Sequence, residues 1–207
     1  MIFFVYQFLL SIILIFSPFI ILIRIFKNKE DKFRFKEKFC LITKQRGSGK
    51  LIWFHGSSVG EILSAIPIIK KYDKDKKINK ILLTSSTLSS SKILDNIKFK
   101  KTIHQFYPID HILFSKKFLD HWKPDVAIFL ESEIWPSMFK SIKNLNIPLI
   151  LLNARITKKS FGRWSKMKKF SDSIFGLIDK AYSQNSETNH YLKKLNVKNI
   201  KSIGNIK

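Results

Sequence analysis

Three short stretches carry residues able to do chemistry. The first runs from His55 to Glu61, HGSSVGE, and ends on a carboxylate. The second, ESEIWPS, places Glu131 and Glu133 two residues apart beside Trp135 and Pro136. The third, NARIT, ends an apolar run on Asn153 and Arg155, with Lys158, Lys159 and Arg163 after it. A carboxylate at a strand end can take a proton from a hydroxyl bound in the adjoining cleft. Gly56 and Gly60 permit tight turns or close backbone approach. Ser57 or Ser58 can cap the following helix, whose N-terminus offers free N–H groups to an anion. Arg155 and the cations after it suit a phosphate or carboxylate. Each stretch also has a plainer reading. Glu61 falls in a first helical turn, where acidic residues complement the helix dipole. One of Glu131 and Glu133 can cap the next helix, and the basic residues can form a solvated face.

Other chemistries are excluded or unsupported. The first loop lacks the Gly-Lys-Ser/Thr of a P-loop and is not GxGxxG. His55, His104, His111, His121 and His190 show no metal-ligand spacing, and they read as structural or surface residues. The single cysteine, Cys40, excludes an internal disulfide and any Cys-cluster metal site.

The elements that must position these stretches alternate along the chain. LIWFH (51–55), KILLTSS (80–86), IHQFYPI (103–109), DVAIFLES (125–132), IPLILLNARI (147–156), KAYSQN (180–185) and NIKSIGNIK (199–207) read as strands. Helical patterns separate them, the first with apolar positions at Val59, Ile62, Leu63, Ile66 and Ile69. The stretch 160–178 reads as one longer helix. Such alternation predicts an α/β fold, a parallel sheet with helices on both faces. Ligands of such sheets sit beyond the carboxyl ends of the strands, where the three stretches fall.

Residues 1–26 carry no charge before Arg24, long enough to cross about 30 Å of hydrocarbon. The basic segment after it, RIFKNKEDKFRFKEK, predicts a cytoplasmic flank. The expected organisation is therefore a membrane anchor over 1–26, a basic juxtamembrane linker over 27–50 and a globular domain over 51–207. The net charge of +23 favours anionic partners, although most of it is lysine rather than arginine. Nucleic acid is the poorer reading, because the aromatics lie in apolar-periodic or anchor positions and no nucleic-acid fold motif is present.

Taken in order, HGSSVGE, ESEIWPS, NARIT and the closing GNIK resemble the motifs of the 3-deoxy-D-manno-octulosonic acid (Kdo) transferases of lipopolysaccharide synthesis. The resemblance implies the Rossmann-like acceptor-binding half of a GT-B glycosyltransferase. Such an enzyme moves Kdo from CMP-Kdo onto a lipid A precursor, with inversion and without a required metal or other cofactor. It implies a place on the inner membrane, facing the cytoplasm. By the same resemblance Glu61 matches the general base, with Ser58, Gly60, Glu131, Glu133, Asn153 and Arg155 as acceptor-binding or supporting residues. It also implies that CMP-Kdo is met by a second domain beginning where GNIK ends, so that this chain alone does not transfer Kdo. Two departures stand out: Gly56-Ser57 replaces the family's Ala-Val, and SSTLSSS replaces its Thr-Pro-Thr-Gly. A non-catalytic, membrane-tethered module that binds acidic lipid is the alternative.

Overall fold

The computed structural model describes residues 2–97 and 99–206. Met1, Lys98 and Lys207 lie outside them, and with them the ends of the expected anchor and of the last strand. Seven strands form one parallel sheet in the order β3-β2-β1-β4-β5-β6-β7. They are β1 (Leu51–His55), β2 (Lys80–Ser85), β3 (Thr102–Phe106), β4 (Val126–Leu130), β5 (Leu149–Ala154), β6 (Lys180–Ser183) and β7 (Ile200–Ser202). Among the described residues eight α-helices accompany them: α1 (Ile2–Phe26), α2 (Val59–Lys74), α3 (Leu88–Asp95), α4 (Ile112–Trp122), α5 (Pro136–Asn144), α6 (Lys158–Ser165), α7 (Lys168–Phe175) and α8 (Ser186–Lys194). The expected α/β architecture is thus the observed one.

Successive strand residues face opposite sides, and both sides are covered. Trp53, Phe129 and Leu151 face a core completed by Phe118, Phe139 and Phe175. Phe54, Leu83 and Ile128 face a second core with Ile62, Ile66 and Ile69 of α2. Burial on both sides explains why the strands read as continuous apolar runs. The chain goes outward from β1 through β2 to β3, then crosses back to β4 on the other side of β1. The order therefore reverses between β1 and β4, and a crevice opens at their carboxyl ends.

The last strand, expected over 199–207, spans only Ile200–Ser202, and the structure departs from the expected elements in three further places. The helix expected over 160–178 is two helices, broken at Lys166 and Met167, where Met167 leaves helical geometry with ψ of 51°. The break lets Trp164 of α6 turn back onto Phe175 of α7, edge to face at 5.1 Å. The third strand ends at Phe106, because Tyr107 to Asp110 turn away to meet the N-terminus of α5. The stretch expected as a linker over 27–50 is bound to the domain. It includes a 3₁₀ turn, Arg34–Phe39, whose Glu37 Oε2 accepts the Phe106 N–H at 2.7 Å.

Candidate active site

Glu61 and Glu133 come from the two loops that flank the reversal point. β1 ends at His55, and Gly56 bends the chain toward α2. A Cβ on Gly56 would lie 2.9 Å from Leu130 Cδ1 and 3.1 Å from Glu61 Cβ, so glycine lets the loop pass this close. Ser58 is the N-cap of α2, and with Glu61 it forms a complete capping box. Glu61 Oε1 accepts the Ser58 hydroxyl at 2.8 Å, and Oε2 accepts the Ser57 N–H at 2.7 Å. The helix-start role and the strand-end position are thus held by the same carboxylate.

β4 ends at Leu130, and Glu131 turns the chain through a left-handed conformation, φ 52°. That turn carries Glu133 over the end of β1. Its Oε2 accepts the Trp135 indole N–H at 2.9 Å and faces His55 Nε2 at 3.2 Å. The Ser57 hydroxyl donates to the same oxygen. His55 is fully buried and stacks on Tyr107 at 3.8 Å. Its Nδ1 lies 2.9 Å from Thr84 Oγ1, which accepts the Trp53 N–H at 2.9 Å. An ionised Glu133 can only accept, so the imidazole carries its proton on Nε2 toward that carboxylate.

The electrostatics follow from burial and these bonds. Burial holds the His55 imidazole below its ordinary value, against the pull of Glu133, and keeps it neutral. Burial alone would raise Glu133, but the His55 bond, with those of Ser57 and Trp135, outweighs it and holds the carboxyl low. Glu61 moves the other way. Burial raises it first and the Glu133 charge second, with the Ser57 and Ser58 donors opposing. One carboxylate is kept ionised and its neighbour is made more basic, the arrangement that suits a general base.

The remaining expected residues divide. Gly60 is exposed in the first turn of α2, beside Glu61. Neither Glu131 nor Glu133 caps α5, contrary to the plainer reading. Asp110 does so from the β3–α4 loop, accepting the Ser137 N–H at 3.0 Å and the Met138 N–H at 2.9 Å. Asn153 is buried in a left-handed conformation at the irregularity between β5 and β6. Its side-chain oxygen accepts the Ile206 N–H at 3.3 Å, so Asn153 holds the closing GNIK segment. Arg155 is exposed, and its N–H meets the Glu131 carbonyl at 3.3 Å. The SSTLSSS stretch starts α3 with Thr87 as N-cap and approaches the first loop, Ser86 Oγ lying 3.1 Å from Ser57 Oγ. His55, read from the sequence as a structural or surface residue, is the buried partner of Glu133. Its place as the last residue of β1 was the available signal. Among the described residues no three or more His, Cys, Asp or Glu side chains group to hold a metal ion.

Comparison with known proteins follows the same geometry. The fold resembles UDP-N-acetylglucosamine 2-epimerase from Rickettsia bellii, with a TM-score of 0.52 and 17% identity over 77% of this chain and 46% of that one. It also resembles the Neisseria meningitidis UDP-GlcNAc 2-epimerase, at 0.50 and 14% over 76% and 46%. These likenesses show a Rossmann-like domain of the GT-B kind. The family model described as 3-deoxy-D-manno-octulosonic-acid transferase (kdotransferase) matches residues 33–207, and the chain belongs to that family. The 3-deoxy-D-manno-octulosonic acid transferase of Rickettsia bellii is 38% identical over 203 residues, 98% of this chain and 48% of its own length. The probable mitochondrial enzyme of Arabidopsis thaliana is 42% identical over 132 residues, 64% of this chain and 30% of its own. The Haemophilus influenzae enzyme is 26% identical over 135 residues, 65% and 32%. The chain spans about half the length, or less, of the curated relatives it matches.

Proposed function

We propose that this chain is the acceptor-binding half of a membrane-associated Kdo transferase and supplies its general base. In this reading a lipid A precursor (lipid IVA) presents a glucosamine hydroxyl to the crevice between the ends of β1 and β4. Glu61 takes the hydroxyl proton as the oxygen attacks the anomeric carbon of Kdo. The CMP leaving group departs from the opposite face, so the configuration inverts. CMP-Kdo would be met by the part of the relatives' length that this chain does not span, and no metal is assigned a role. α1 keeps the domain at the inner membrane, on its cytoplasmic side. The observation that carries the reading is the pairing of Glu61, made more basic by burial and a neighbouring charge, with an ionised Glu133 at the reversal point of the sheet.

The test is Kdo transfer to a lipid A precursor in membranes, with CMP-Kdo generated in situ. It compares this chain alone, this chain joined to a donor-binding half, and the joined form with Glu61→Gln. Activity is expected in the joined form only. It should fall about 10²–10⁴-fold with Glu61→Gln, the usual contribution of a general base. Glutamine retains the capping box, so folding is preserved. Full activity of the variant would return Glu61 to its role at the helix start.

A further inference from the structure

We infer that α1 does not cross the bilayer but lies in the plane of one leaflet, with one face on the domain and the other in lipid. The inference rests on the membrane contact proposed above and deepens it. At about 1.5 Å per residue, the 25 residues of α1 run about 37 Å, enough to span hydrocarbon. Only 11% of its most apolar window is buried, so it is not a core helix.

Its contacts decide its direction. Tyr6 donates to Asp110 Oδ2 at 2.7 Å. Gln7 donates to Ser137 Oγ at 2.7 Å and accepts the Ile112 N–H at 3.1 Å. Ser11 Oγ lies 3.2 Å from His111 Nε2. Ser17 and Ile21 are buried, and Arg24 pairs with buried Glu30 at 3.1 Å. These six positions recur at helical spacing and form one stripe along nearly the whole helix. A transverse α1 would carry Asp110, His111 and Lys140, whose ammonium sits 3.6 Å over the Phe3 ring, into hydrocarbon beside it. Charged groups at that depth are strongly disfavoured.

The opposite stripe is apolar and exposed: Phe4, Phe8, Ile15, Phe16, Phe19 and Phe26. Beyond it, Phe33 is 86% exposed among the exposed Lys27, Lys29, Lys32 and Lys36, an aromatic-and-cation edge suited to anionic headgroups. An in-plane helix of this kind sinks its apolar face about 5–10 Å below the headgroups. Of the groups where α1 docks, Ser137 lies in the first turn of α5, just after Glu133 and Trp135, and Asp110 caps that turn from the β3–α4 loop. The leaflet surface therefore lies near the mouth of the crevice, where a lipid acceptor is already anchored.

The experiment places one cysteine at a time at the exposed positions Phe4, Phe16 and Phe26 of the full chain. Each is labelled with an environment-sensitive fluorophore, with the unsubstituted chain and its buried Cys40 as blank. The proteins are bound to vesicles of phosphatidylethanolamine and phosphatidylglycerol carrying a nitroxide at a shallow or a deep acyl position. In-plane insertion predicts equal loss of fluorescence at all three positions, larger with the shallow nitroxide. Deep quenching at position 16 with shallow quenching at 4 and 26 would show a crossing helix and overturn the inference while leaving membrane contact intact. So would labelling of position 4 by an impermeant maleimide from the side opposite the domain. No quenching at any position would overturn both the inference and the membrane contact on which it rests.

Discussion

Ser57 joins the two carboxylates of the crevice: its N–H donates to Glu61 at 2.7 Å and its hydroxyl to Glu133. The backbone bond survives any substitution, but the hydroxyl bond does not. Ser57→Ala leaves the ionised Glu133 with only the donors of His55 and Trp135. Hydrogen bonds to charged groups contribute about 1.5–3 kcal/mol, and Ser57 is partly open to water, so a loss near 1.5 kcal/mol is expected in urea unfolding. Kdo transfer should fall far less than with Glu61→Gln, because Glu61 keeps its backbone donor. A loss as large as that of Glu61→Gln would show that the hydroxyl itself takes part in the reaction.

Gly56→Ala tests the close approach of the first loop to β4. The added methyl would meet Leu130 Cδ1 at 2.9 Å and Glu61 Cβ at 3.1 Å. Leu130 is fully buried and has little room to retreat, so the loop must yield and Glu61 moves with it. Overpacking of this sort costs about 1–3 kcal/mol. Transfer activity should drop more than stability, since a misplaced base loses rate steeply with small displacements. Equal activity in the alanine variant would mean that the crevice tolerates a shifted Glu61.

Asp110 gives a prediction on pH. Burial raises its carboxyl to about 6, although the donors Tyr6, Ser137 and Met138 pull it down. The unfolded carboxyl titrates near 3.9, so the folded state holds the proton more tightly. Ionisation above about pH 6 therefore opposes folding, and the opposition fades as pH falls toward about 4, a difference of up to about 3 kcal/mol. In thermal melts the wild type should gain on Asp110→Asn as pH is lowered through that window. Parallel curves would remove Asp110 from the pH dependence.

Sequence periodicity was enough to find the strands and their parallel arrangement, because burial on both faces leaves an apolar run that needs no partner to be seen. HGSSVGE and ESEIWPS were visible as strand-end loops. Their meeting was not, since it depends on β4 returning to the far side of β1. His55 was read only as a structural or surface residue because its partners, Thr84 and Glu133, lie 29 and 78 residues away. The break at Met167 was equally hidden: the residues on both sides keep helical spacing, and the packing of Trp164 on Phe170 and Phe175 that accompanies the turn is a tertiary contact. Asn153 shows the opposite case, in which a polar residue read as ligand-facing is consumed by the chain's own segment at Asn205 and Ile206.

Glu133 is expected to set the pH at which Glu61 works. A general base must be unprotonated, so transfer falls as pH drops through the Glu61 carboxyl's own titration. Burial and the Glu133 charge both place that titration above the ordinary carboxylate range. Glu133→Gln removes the charge but not the burial. The acidic limb of kcat/KM should therefore move to lower pH, and the residual rate at low pH should decline less than the rate at neutrality. The substitution also leaves His55 Nε2–H and the Trp135 N–H facing an amide, so some loss of maximal rate accompanies the shift. The position of the limb separates the two effects, because lost packing lowers the plateau without moving the midpoint. An unmoved midpoint with a lowered plateau would assign Glu133 to holding the loop alone.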